Sequence, residues 1–234
     1  MQSHISSAYD RDLEQIHGLI MKMGGLVEHA ILEGAKALEA RDVDAAEVVR
    51  KADKVIDAIE EQINEEAART IALRAPVSKD LRTLLSVLKL ASSLERVGDY
   101  AKNMAKRTSV LAEMKPITGT DAALRRMGKE VQSMLRDVLD AYVRSDAELA
   151  ANVRQRDLEV DQMYNTLFRE FLTFMMEDPR NITACMHMHF IAKNVERMGD
   201  LVTNMAEQVI YMVTGEMPDE DRPKGDKTSS MLTE

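Results

Sequence analysis

Eight carboxylates in four pairs, each with a four-residue spacing, are the residues of this chain best suited to chemistry: Asp53 and Asp57, Glu95 and Asp99, Asp157 and Asp161, Glu196 and Asp200. On a helix a spacing of four places both acids of a pair one above the other on one face. Acids brought together repel unless a cation, a proton or a basic side chain intervenes. Their oxygen donors suit Mg²⁺, Mn²⁺, Ca²⁺ or iron better than a thiolate-seeking metal. The plainer alternative is a set of solvated salt bridges to Arg50, Lys54, Lys102 or Arg154.

Repetition separates these acids from an ordinary charged surface. Glu95 to Ala105 reads ERVGDYAKNMA and Glu196 to Ala206 reads ERMGDLVTNMA, identical at seven of eleven positions and offset by 101 residues. Such self-similarity implies a duplicated domain. Asn103 and Asn204 extend the two acid rows, and His189, seven residues before Glu196, falls on the second. The first repeat has Leu88 at the matching place, so His189 would make the second site friendlier to iron or zinc. A histidine used only for helix packing is the competing reading. Gly98 and Gly199 sit inside the acid pairs, where glycine costs a helix roughly 1 kcal/mol relative to alanine. A glycine kept in both copies implies close approach to the backbone.

The elements that must position these acids are helices. Val87, Leu90, Leu94, Val97, Ala101 and Met104 recur at steps of three and four, and the second copy repeats the pattern from Met188 to Met205. At about 100° per residue, the acid row lies off that seam, in line with Leu81, Leu84 and Leu88, which suggests an apolar groove ahead of the acids. A first helix is expected over about Tyr9 to Ala40. A second runs to about Leu73, with Asp44 and Glu47 resembling a capping box, and a third follows Pro76 and Ser78 to about Met114. The plan then repeats, with Asp146, Asp157 and Asp161 matching Asp42, Asp53 and Asp57 at an offset of 104, and Asp178-Pro179 opening the last helix. The second and third helices of each repeat should form an antiparallel hairpin. Asp161 and Glu196 then lie about 18 residues from the turn, Asp157 and Asp200 about 22, so the acid pairs stand level across the hairpin. The first repeat gives nearly the same heights.

The expected fold is all-α: two tandem three-helix bundles, residues 1–114 and 120–214, followed by a flexible tail, 215–234, poor in apolar residues. Five prolines and ten glycines in 234 residues favour long helices over a sandwich or barrel. The single cysteine, Cys185, excludes an internal disulfide and fits a reducing compartment. No run approaches a membrane span, no secretory signal is visible, and a net charge of −9 disfavours nucleic acid, so the cytoplasm is the expected location. Glu14-Gln15-Ile16-His17 has the spacing of a di-iron motif, but the second repeat offers only Thr118 and Asp121 at the matching places. The methionines Met175, Met176, Met186, Met188 and Met198 read as core filler. No nucleophile with a recognisable local context is present, and a catalyst is not expected.

The double Glu-Arg-x-Gly-Asp pattern, with Lys22-Met23-Gly24-Gly25, Pro76 to Arg82 and Met175-Met176-Glu177-Asp178, resembles the PhoU family over nearly the full length. The resemblance implies a cytoplasmic, usually homodimeric, non-enzymatic adaptor. It would couple the ATPase subunit of the phosphate ABC transporter to a sensor histidine kinase, reach the membrane only through those partners, repress the phosphate-starvation response and restrain uptake. The family's metal motifs fall on Glu95, Asp99, Glu196 and Asp200, where the ion would be Mg, Mn, Fe or Zn. The alternatives are a non-regulatory helical scaffold and a carboxylate-bridged metalloenzyme.

Overall fold

The computed structural model describes residues 2–218, with side chains from Ala8 onward. Its six α-helices are α1 (Gln2–Ala40), α2 (Val43–Arg74), α3 (Lys79–Leu111), α4 (Thr120–Arg144), α5 (Ala147–Glu177) and α6 (Ile182–Thr214). A short 3-10 turn, Pro179–Asn181, precedes α6. The expected tail lies outside the described residues from 219 onward; its first residue, Gly215, ends α6 in the left-handed conformation at φ 88.

Local chemistry sets the helix boundaries. Asp42, not Asp44, caps α2: its carboxylate accepts the Ala45 N–H at 2.9 Å, and Asp44 is already in the first turn. Asp44 and Glu47 therefore do not form the expected capping box. Asp146 does the same for α5, accepting from Glu148 and Leu149. Each such cap satisfies donors that the helix leaves open and contributes about 1 kcal/mol. Asp178 caps the 3-10 turn rather than α6 itself, with Pro179 at the first position, where no N–H is needed.

Helices α3 and α6 form the centre. They pack on each other, while α3 also meets α1 and α2, and α6 meets α4 and α5. A further contact joins α1 to α4 across the two halves. The seams predicted from periodicity are buried: Val87, Leu94 and Val97 on α3, and Met188, Val195 and Met198 on α6, have no exposed surface. Met176 and Met186 are not core residues; both are exposed, Met176 at 84%. Arg41, in the turn between α1 and α2, fastens the halves together. Its guanidinium donates to the Leu111 and Met114 carbonyls at the end of α3 and pairs with Asp121 at the start of α4.

Candidate metal centres

The hairpins α2–α3 and α5–α6 bring the acids level, as the heights required. Gly98 is the point of closest approach in the first repeat. A Cβ there would stand 3.1 Å from the Ile56 Cδ1 and 3.7 Å from a carboxylate oxygen of Asp53. At Gly199 it would stand 3.3 Å from both Asp157 Oδ1 and Val160 Cγ1. The close approach inferred from the paired glycines is therefore made by the neighbouring helix of the same repeat, with its aspartate beside the glycine.

The two clusters differ in burial. In the first repeat Asp53 is buried, Glu95 and Asp99 are partly exposed and Asp57 is exposed. In the second, Asp157, Asp161 and Glu196 are all buried, and Asp200 is partly exposed. Asn103 and Asn204 point to solvent and extend neither cluster into the protein. Burying a carboxylate is costly unless positive charge or hydrogen bonds compensate it. The second repeat therefore places more carboxylate charge in the interior than the first.

The electrostatics of the first cluster follow from its geometry. Burial, then Asp99, Glu60, Asp57 and Asp53, push the Glu95 carboxyl above its ordinary range. Burial and Asp53 raise Asp57 likewise, with Lys102 opposing. Lys102 is the local cation, donating from Nζ to Asp53 of α2 and, at 2.8 Å, to Asp99 of α3. Those hydrogen bonds hold its ammonium well above the usual lysine range. Asp53 nevertheless keeps one buried oxygen, Oδ1, with no hydrogen-bond partner among the described residues. In the second cluster Lys193 donates to Glu196 at 2.9 Å and stands over the Tyr164 ring, 4.8 Å from its centroid.

Sequence reading named Lys102 only as a surface partner and missed Lys193. The signal was present in each case: a lysine three residues from an acid of the motif on the same helix. His189 lies among aromatic rings, with Phe168, Phe190 and Tyr164 centroids at 5.5, 5.9 and 6.0 Å. Burial, aided by Lys193, lowers its pKa. Those surroundings favour the packing reading of His189 over a ligand.

Donor chemistry fits a hard divalent ion in both repeats. Among the described residues, however, no three His, Cys, Asp or Glu side chains converge as they would around a bound ion. A metal would have to re-aim these carboxylates. The apolar row ahead of the acids is not an open groove, because Leu84 is fully buried and Leu81 and Leu88 partly so. The exposed apolar residues lie one position over, at Leu85 and at Ile182, Met186 and Phe190.

Comparison with known proteins bears on the whole chain. The PhoU domain model matches twice, over residues 20–108 and 124–209, one match for each repeat. A phosphate-specific transport system accessory protein PhoU homolog of Caulobacter vibrioides is 44% identical over 229 residues, covering 98% of this chain and all of that protein. Its counterpart in Rhizobium meliloti is 43% identical over 98% of this chain and 97% of the relative. The crystal structure of PhoU from Pseudomonas aeruginosa superposes with a TM-score of 0.86 at 39% identity, covering 89% of this chain and all of that one. The phosphate transport system regulatory protein PhoU of Streptococcus pneumoniae gives 0.83 at 31% identity, over 90% and 99% of the two chains. With both repeats matched and relatives aligned end to end, the chain belongs to the PhoU family, a family of non-enzymatic helical accessory proteins.

Proposed function

We propose that this protein is an accessory regulator of phosphate transport, an adaptor that restrains uptake and represses the starvation response when phosphate is plentiful. Its partners are the ATPase subunit of a phosphate ABC transporter and a sensor histidine kinase. It acts as a cytoplasmic homodimer. One observation carries this reading: the end-to-end match, over both repeats, to relatives described as accessory and regulatory proteins of phosphate transport. The absence of any described helix long and apolar enough to cross a membrane agrees with contact to the membrane through partners.

Divalent cations belong to the same proposal. Asp157, Asp161, Glu196 and Asp200 would hold one in the second repeat, where three of the four are buried. The first-repeat set, Asp53, Asp57, Glu95 and Asp99, supplies the same donor types beside Lys102. A bound ion would supply positive charge between neighbouring helices and cross-link them, a positioning role rather than a catalytic one. The acids' own contribution is to stand level across each hairpin, so that one charge can bind both helices.

Co-purification tests the adaptor. A tagged chain recovered from phosphate-replete and phosphate-starved cells should bring down the transporter ATPase and a histidine kinase, in proportions that change with phosphate. Recovery of neither partner in either condition would refute it.

A further inference from the structure

Exposed apolar side chains gather at one end of the second repeat. Leu172 and Met176 of α5, Ile182, Met186 and Phe190 of α6, and Val110 of α3 are each between 39% and 84% exposed. Steps of four residues put those of α5 on one stripe and those of α6 on another. The Phe168 and His189 rings stand 5.5 Å apart, so equal counts along the antiparallel pair bring Leu172 level with Met186, and Met176 level with Ile182. On the other side of α6, Arg107 stacks over Phe190 at 4.5 Å from its centroid, and Val110 lies one turn further along α3. The patch faces a trough. Helices α1 and α4 meet on one side of α3 and α6, whereas α2 and α5 flank them without meeting among the described residues.

The fold does not require this patch. At the offsets of the duplication the first repeat has Ala68, Ala72 and Lys89 where the second has Leu172, Met176 and Phe190, and it forms the same hairpin. Contiguous exposed apolar surface of roughly a few hundred Å² marks a site of interaction. Its border carries positive charge. Lys106 precedes Val110 by one turn and Arg169 precedes Leu172 by one turn; both are exposed. With Arg107 they stand around the Phe190 end, and none of the three pairs with a carboxylate among the described residues. We propose that this patch docks an amphipathic helix of a different protein, its apolar face on Met186 and Phe190 and its flanking carboxylates on Lys106, Arg107 and Arg169. A second copy of this chain would set the same cations against one another. A flat anionic bilayer would reach the rim at Met176 but not the floor of the trough, and would face a chain of net charge −9.

The test uses the full chain in growing cells, with the photo-cross-linker p-benzoylphenylalanine placed at Leu172 or at Met186. Irradiation joins it to whatever covers the patch, and mass spectrometry of the adduct maps the joined segment. The expected adduct is a segment of another protein that reads as an amphipathic helix with acidic flanks. The same cross-linker at Val48, exposed beside α1 on α2, should not give it. Lys106→Glu with Arg169→Glu should cut the adduct by roughly tenfold while leaving the melting temperature unchanged. An adduct to lipid, to a second copy or to a segment without acidic residues would overturn the proposal. So would the absence of an adduct at both positions, or a yield indifferent to the charge reversal.

The proposal rests on the adaptor reading only in expecting a protein partner, and the two fail separately. An acidic helix mapped on some other protein upholds this surface even where co-purification recovers neither the transporter ATPase nor a kinase. Undiminished recovery of those two partners by Lys106→Glu with Arg169→Glu would leave the adaptor standing and overturn the surface.

Discussion

Gly98 and Gly199 occupy equivalent positions, yet alanine should affect them with opposite or clearly unequal consequences. Either substitution gains about 1 kcal/mol of helix propensity. Against this stands the room available. At Gly98 the nearest atom to a new Cβ is the terminal methyl of Ile56, at 3.1 Å, and its branch methyl follows at 3.4 Å. A terminal methyl can rotate aside within the side chain, so the overpacking cost should fall at the low end of about 1–3 kcal/mol. The net effect is then within about 0.5 kcal/mol of zero. At Gly199 the new Cβ meets Val160 Cγ1 and Asp157 Oδ1, both at 3.3 Å, with Val160 Cβ behind them at 3.7 Å. Valine is stiff at χ1 and fully buried here, so relief requires α5 to move away from α6. A cost of about 2 kcal/mol leaves a net loss of about 1 kcal/mol, or about 2–4 °C in melting temperature for a chain of this size. Urea unfolding of both variants, with the slope checked for constancy, measures the difference. A Gly199→Ala protein as stable as Gly98→Ala would refute the claim that Val160 fixes the helix separation.

Arg41→Ala should be among the most damaging single changes on the periphery. It strands the Leu111 and Met114 carbonyls and the mostly buried Asp121 carboxylate, for a loss of about 2–4 kcal/mol by calorimetry, whereas an ordinary surface arginine would cost less than about 0.5. Asp42→Ala should cost about 1 kcal/mol and Asp44→Ala distinctly less, because only Asp42 caps α2; equal losses would restore the Asp44 capping box. Burial lowers the pKa of His17, and burial with Lys193 nearby lowers that of His189. The unfolded chain therefore takes up these protons first as pH falls below about 6.5. Stability contributed by neutral His17 and His189 is present above that pH and is lost toward the lower folded values. Melting temperatures from pH 7.5 to 5 should fall accordingly, and less steeply in His17→Phe; an identical slope in that variant would remove His17 from the account.

The duplication was legible because it fixes relative position twice. Equal distances from two turns put Asp53 beside the Glu95 helix, and the structure places its carboxylate next to Gly98. Periodicity likewise gave the seams, since Val87 to Met104 are buried at the spacing that predicted it. Direction was harder to read. The row through Leu81, Leu84 and Leu88 looked like a groove because a 100° count places residues on a face without saying what covers it. In the fold α3 is surrounded by α1, α2 and α6, which leaves Leu84 no exposed side. Met176 and Met186 failed for a related reason: methionine is adaptable enough to stand at a rim as readily as in a core. The capping aspartate was displaced by two residues because Asp42 and Asp44 are the same residue type at the same helix start, and only backbone conformation separates them. Asp42 is extended, at φ −85 and ψ 104, while Asp44 is already helical.

The same comparison of copies separates what the fold requires from what the site requires. Glycine recurs at 98 and 199 because in both hairpins a neighbouring side chain fills the space beside the helix, and that demand is independent of charge. The acids recur, yet their surroundings diverge. One repeat buries a single carboxylate and spans its hairpin with Lys102; the other buries three and sets Lys193 beside Glu196. A requirement for solubility alone would not bury Asp157, Asp161 and Glu196, since exposed acids serve that purpose without the desolvation cost. A requirement for mere helix pairing would not keep carboxylates either, because apolar residues of similar volume pair helices at least as well. Level acids in both hairpins, each set beside a lysine three residues away on its own helix, are the arrangement on which the cation proposal rests.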